Sequence, residues 1–197
     1  MIKRLNRNCL LTVILFLAFM SINNAYGQFV DDDLYTKRHF YGFNIGVDLG
    51  LINQFEGSPL IGYRITPRIH AGVGGKYQYY YDKRVGNVFK GHIFGPLVFT
   101  DIIAIRSLDE LMPFRFIDGS VVLHAEMNYL NLPTEYFAMP DEHPGSKRFF
   151  RPTWLAGAGL QRKAGSESFL QIMLMFDFSD HSPRVYSNPV LRFGFLF

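Results

Sequence analysis

Three short constellations in this 197-residue chain carry residue types that acid–base or nucleophilic chemistry needs. His124-x-Glu126-x-Asn128 sets an imidazole, a carboxylate and an amide at alternate positions. In a strand, alternate side chains share one face, so the spacing suits an acid–base pair or two ligands of a metal ion. A zinc site takes at least three protein ligands, so the motif predicts an interior hydrogen-bond network and no metal. Asp180-His181-Ser182 holds acid, base and nucleophile types, with Asp177 or Ser187 as a further partner. His181 and Ser182 would be the pair to watch in a lipid-cutting hydrolase, but a triad is defined by geometry and chain neighbours seldom face each other. Asp141-Glu142-His143 lies between Pro140 and Pro144 and reads as a solvated loop. No glycine-rich phosphate loop sits between a strand and a helix, and no zinc spacing occurs. No cofactor is expected.

A wider polar set recurs at every second position: Asp48, Arg64, Lys76, Gln78, His92, His124, Glu126, Asn128, Gln161, Gln171, Asp177 and Arg192. Large apolar residues fill the positions between. Such alternation is the strand period, and it predicts eight strands near 40–51, 59–66, 69–81, 88–103, 120–130, 149–162, 168–178 and 190–197. On most of them the apolar face is plain: Phe43, Ile45 and Val47 on the first, Val121, Leu123 and Ala125 on the fifth, Leu170, Ile172 and Leu174 on the seventh. The fourth is least regular. There Phe89, Ile93, Leu97 and Phe99 are assigned outward and Lys90, His92 and Thr100 inward, with a bulge or bend expected at Pro96 because proline lacks a ladder donor.

Connections alternate between short (near Thr66 and Lys163) and long (near Asp82, Asn131 and Ser179). Gln54-Phe55-Glu56-Gly57-Ser58 is assigned to a loop, and 131–148 is the longest one. The 106–119 segment is the exception on the short side; Ser107 could cap a helical turn there. Short turns on one rim and longer loops on the other, with an even strand number, are the layout of a bacterial membrane barrel. The expected fold is all-β: a closed antiparallel up-and-down transmembrane barrel of about eight strands. The barrel must close, because an open strand edge in hydrocarbon would cost several kcal/mol per unpaired group.

Both ends of the chain agree with a membrane location. Phe193, Phe195 and Phe197 alternate with small or polar residues at the C-terminus. An outward aromatic row has nothing to bury against in water, whereas lipid covers it. A final strand ending in Phe also resembles the signal by which the barrel-assembly machinery recognises its substrates. At the N-terminus, Lys3, Arg4 and Arg7 precede an apolar run from Cys9 to Met20 and a polar stretch ending Ala25-Tyr26-Gly27. This is the layout of a cleaved secretory signal over residues 1–27, followed by a periplasmic lead over 28–38 that contains Asp31-Asp32-Asp33 and by the barrel over 39–197.

Cleavage changes the charge argument. Losing Lys3, Arg4 and Arg7 leaves 17 basic residues against 17 acidic ones, so the net charge of +3 belongs to the leader and gives no reason to expect nucleic-acid binding. The single cysteine, Cys9, leaves too. The mature chain then has no thiol for a disulfide or thiolate site.

Four stretches share order and spacing with one family: Gly62-Tyr63-Arg64-Ile65-Thr66-Pro67-Arg68, His124-Ala125-Glu126-Met127-Asn128-Tyr129-Leu130-Asn131, Ile172-Met173-Leu174-Met175-Phe176-Asp177, and Tyr186-Ser187-Asn188-Pro189-Val190-Leu191-Arg192. Over most of the mature length the chain resembles small, uncharacterised outer-membrane β-barrel proteins of the Bacteroidetes type. The chain departs from them at Pro96 and in the 106–119 connection. The resemblance implies a membrane barrel and carries no catalytic residue. The expected role is structural or interactive, with a polar plugged lumen, outer-membrane lipid as surroundings and external loops as contact surface. A lipid-modifying hydrolase and an accessory subunit of a secretion machine are the alternatives.

Overall fold

The computed structural model describes residues 37–48, 53–82, 89–108, 119–138, 145–165, 167–180, 184–186 and 188–197. The proposed signal segment 1–27, residues 28–36 of the lead, and most of the 106–119 connection lie outside the described residues.

Eight strands follow in chain order: β1 (His39–Asp48), β2 (Asn53–Arg64), β3 (Ile69–Asp82), β4 (Phe89–Ile105), β5 (Ser120–Pro133), β6 (Arg148–Lys163), β7 (Phe169–Asp177) and β8 (Val190–Leu196). Each pairs antiparallel with its neighbours in the chain, and β8 pairs with β1 to close the barrel. Closure places Phe43 opposite Phe195 and Ile45 opposite Phe193. The seam is continued by the Tyr41 amide donating to the Phe197 carbonyl, and the Phe197 amide to that of Tyr41, each at 2.9 Å.

The turn after β2 is held by Thr66, whose hydroxyl accepts from the amides of Arg68 and Ile69. On the same rim, the feet of the 106–119 connection meet. The Leu108 amide donates to the Gly119 carbonyl, and the Ser120 hydroxyl donates to the Arg106 carbonyl. At the opposite rim β5 overruns its expected end and leads into a single helical turn, α1 (Thr134–Phe137). The loop expected from residue 131 therefore starts later. Phe137 on α1 is wholly buried, so apolar burial within the barrel mouth draws the segment in.

Three other expectations are corrected. Gln54, Glu56 and Ser58 belong to β2 and point inward. Their turn-like composition hid a strand alternation. On β4 the assigned faces are inverted: Ile93, Leu97 and Phe99 are buried in the lumen, while Lys90, His92, Phe94 and Val98 face out. The reason lies on β3. Gly72 stands opposite Phe99, and a Cβ there would come within 2.6 Å of the Phe99 ring and 2.3 Å of the Ile61 carbonyl oxygen. Glycine on the inward face of β3 leaves the volume that the ring occupies. Pro96 sits in unbroken register opposite Gly75, and the irregularity of β4 falls between Ile103 and Ile105.

Candidate functional site

The polar interior is centred on two acids and two bases, each from a different strand. Glu56 comes from β2, Lys76 from β3, Glu126 from β5 and Arg192 from β8. All four side chains are essentially inaccessible to solvent. Arg192 donates through Nη1 to Glu126 Oε2 at 2.8 Å and through Nη2 to Glu126 Oε1 at 3.2 Å. Its Nη2 also lies 2.6 Å from Glu56 Oε1. Lys76 donates to Glu126 Oε1 and stands 3.5 Å from Glu56 Oε2. Two carboxylates face two cations, so the group is neutral as a whole. Neutrality is what a dry interior demands, since an uncompensated buried ion costs several kcal/mol.

Space for this cluster is prepared by the strands around it. Gly46 stands opposite both Glu56 and Arg192, and a Cβ there would meet Glu56 Cγ at 2.5 Å. The bare backbone at Gly46 lets the carboxylate turn toward the lumen axis. Around the four ions a neutral shell adds further hydrogen bonds. Asn128 donates to Glu126 Oε1 at 3.0 Å and to the Thr153 hydroxyl at 3.3 Å. The Tyr186 hydroxyl accepts from Lys76 at 3.2 Å.

The His124-x-Glu126-x-Asn128 motif thus lies on one inward face of β5 and is spent within the network. His124 Nδ1 is 2.5 Å from Asp101 Oδ1, and its Nε2 is 3.4 Å from Glu126 Oε2. The imidazole stacks on Phe99 at 5.8 Å between centroids. Two carboxylates clamp the ring from opposite sides, which fixes its orientation and leaves neither ring nitrogen for an incoming substrate. Among the described residues no group of three or more His, Cys, Asp or Glu side chains could hold a metal.

Two apolar clusters flank the ions. Phe40, Leu60, Leu97, Phe99, Phe169 and Leu196 form one toward the chain termini. Toward the loops, Tyr80, Leu130, Leu132, Phe137, Phe149, Val185 and Tyr186 belong to the other. Val185 and Tyr186, between β7 and β8, thereby reach into the mouth, where Gln54 Nε2 donates to the Val185 carbonyl at 2.5 Å and Gln54 Oε1 accepts from Gln78 Nε2 at 2.7 Å. The ionic centre lies between these two clusters, and buried polar side chains such as Asn44, His70, Gln161 and Gln171 accompany the one toward the chain's ends.

No protein-family model matches this chain, and no curated protein matches it significantly. Among solved structures it is similar to the N-terminal β-barrel domain of Pseudomonas aeruginosa OprF, at 15% identity and a TM-score of 0.43, over 82% of this chain and 98% of that one.

The remaining polar candidates are placed as follows. Arg64 stacks its guanidinium on Phe40 at 5.0 Å and donates to the Lys37 carbonyl at the terminal rim. Gln171 donates to Gln161 at 3.3 Å across β6 and β7. Asp177 accepts from the Ser179 amide at 2.8 Å, and its own backbone amide donates to Asn188 Oδ1 at 2.6 Å. Asp48 ends β1 opposite Gln54, and its side chain lies outside the described residues. So do His181, Ser182 and Ser187 of the hydrolase reading, and Asp141-Glu142-His143. His92 is a correction. It faces outward, 2.6 Å from the Tyr77 hydroxyl, because β4 carries the opposite faces to those expected.

Glu56, Asp101 and Arg151 are buried lumen residues that the alternation did not single out. His70 is buried on the inward face of β3 with Lys76 and Gln78, where the strand period places it. Asp101 follows from the same parity once Leu97 and Phe99 are turned inward. Glu56 needed the 54–58 segment to be read as strand.

Outside, the barrel is apolar all the way round. Phe43, Ile61, Val73, Val98, Leu123, Trp154, Ile172 and Phe195, one from each strand, are exposed large side chains. Phe195 and Phe197 of the C-terminal row are 39% and 58% exposed.

Proposed function

We propose that the protein is an integral barrel of the bacterial outer membrane with a structural or interaction role, of the same kind as the small Bacteroidetes-type barrels it resembles. One observation supports this above all: ions are buried inside while large apolar side chains are exposed outside on every strand. Water would favour the reverse arrangement. A bilayer supplies the missing solvent, and closure satisfies the backbone within it. The short-turn rim, where β1 starts and β8 ends, then faces the periplasm, and the longer connections face outward as the contact surface for a partner. The exposed aromatic row ending at Phe197 suits recognition by the barrel-assembly machinery.

The filled lumen supports a plug in preference to a channel. An ion on the axis would have to pass two buried apolar clusters and a neutral, internally paired charge cluster. The decisive experiment is membrane fractionation with a gel that compares unboiled and boiled samples. The expected protein resists carbonate extraction, requires detergent, and migrates differently when folded. Release by carbonate would refute the membrane reading. In planar bilayers the inserted barrel is expected to give no regular conductance steps, and stable unitary steps would refute the plug.

A further inference from the structure

We infer that the outward face of β3 to β6 at the loop rim binds the phosphate of an outer-leaflet glycolipid, a headgroup of the lipid A kind, a proposal that rests on the membrane reading above. Register brings the participants together: Lys90 stands opposite Tyr81, His92 opposite Tyr79, and Arg148 opposite Pro133 at the end of β5. Lys90 and His92 share the outward face of β4, two residues apart.

The cations are held in place before any ligand arrives. Arg148 lies flat across the sheet with its guanidinium 5.2 Å from the Phe94 ring centre. Its Nη2 donates to the His92 carbonyl at 2.6 Å and to the Asn131 carbonyl at 2.8 Å, and its Nε donates to Asn131 Oδ1. These bonds leave the Nη1 hydrogens without a partner among the described residues. The Lys90 ammonium sits 5.5 Å over the Tyr81 ring. His92 is fixed by the Tyr77 hydroxyl and by the Tyr79 ring at 5.5 Å. With that hydroxyl donating to Nδ1, Nε2 carries the ring hydrogen and becomes a donor.

Among the described residues no carboxylate pairs with Lys90, His92 or Arg148. In the lumen, by contrast, each cation near the centre has its acid. A basic cluster on a membrane protein's outer face, with no acid paired to it among the described residues, calls for an anion, and guanidinium plus ammonium match phosphate oxygens well. Directly below it in the apolar belt, Tyr129 and Phe150 stack at 5.1 Å and Trp154 is exposed. Rings at that level place the cluster at headgroup height with acyl chains alongside. Because aromatic faces already hold the side chains, little ordering entropy is lost on binding.

The test is native mass spectrometry of the full-length barrel in detergent with added bisphosphorylated lipid A or phosphatidylethanolamine. The unboiled gel shift first verifies folding of each variant. Wild type is expected to retain lipid A at least about tenfold better than phosphatidylethanolamine, as one or two charge-assisted hydrogen bonds imply. Lys90→Ala/His92→Ala should lose that preference. Arg68→Ala/Lys163→Ala, which removes two charges from the opposite rim, should keep it. Equal retention of the two lipids by wild type, or equal losses in the two variants, would overturn the site while leaving the membrane reading intact. A wild-type chain that shows no heat-modifiable form in detergent would sink both.

Discussion

Replacing Arg192 by Met puts the central cluster to its severest test. Arg192 is fully buried and reaches two carboxylates, with two hydrogen bonds to Glu126 and a 2.6 Å approach to Glu56. Without it, Lys76 is the one cation of the central four left to balance both acids, in a space flanked by apolar clusters on either side. Removing one partner of a buried ion pair costs about 3–5 kcal/mol. Two charge-assisted hydrogen bonds at about 1.5–3 kcal/mol each give a similar total. The expected loss is therefore about 3–5 kcal/mol. The double change Arg192→Met/Glu56→Gln restores neutrality, leaving Lys76 with Glu126. It should be more stable than Arg192→Met alone, although it carries one more substitution. Trp154, the only tryptophan of the chain, supplies the fluorescence signal for urea titrations of the barrel in lipid vesicles. Linear extrapolation gives the free energies. A loss under about 1 kcal/mol for Arg192→Met, or a double variant whose cost equals the sum of the singles, would refute charge compensation as what holds the lumen together.

Further expectations concern the wall. Gly72→Ala forces a Cβ against the Phe99 ring and the Ile61 carbonyl, and should cost about 1–3 kcal/mol by overpacking in the same titration. Phe99→Leu in that background should recover little, since the Ile61 backbone oxygen remains. Ile172→Arg places a charge on the exposed face of β7 and should destabilise the inserted barrel by about 2–4 kcal/mol near mid-bilayer; a neutral result would argue against lipid there. Trp154 should be quenched by lipids brominated on the acyl chain and be little affected by aqueous iodide, and the opposite pattern would place that face in water.

Much of the barrel was written in the alternation of the chain. Seven strands show their inward and outward faces directly, because outward-facing and lumen-facing positions differ in chemistry along each of them. Phe176 against Asp177 and Phe193 against Arg192 are examples. The fourth strand defied this rule because it is apolar on both faces, with Ile93, Leu97 and Phe99 on one and Phe94 and Val98 on the other. Period alone cannot say which apolar face goes inside. The answer came from Gly72 on the neighbouring strand, a partner that is 27 positions away in the chain. In the same way, Gln54 to Ser58 combined turn-forming residue types with a strand's alternation, and pairing with both β1 and β3 settled the choice.

Sequence by itself determined the fold class, the number of strands and most of the inward polar set, since a two-residue period is a local property of the backbone. Tertiary structure alone decided which acid meets which base. Glu56, Lys76, Glu126 and Arg192 lie on four strands, and only closure of the sheet with its particular register brings them within ion-pair reach. It likewise turned His92 from the lumen to the surface, because the volume available to a side chain depends on the strand across from it and not on its own.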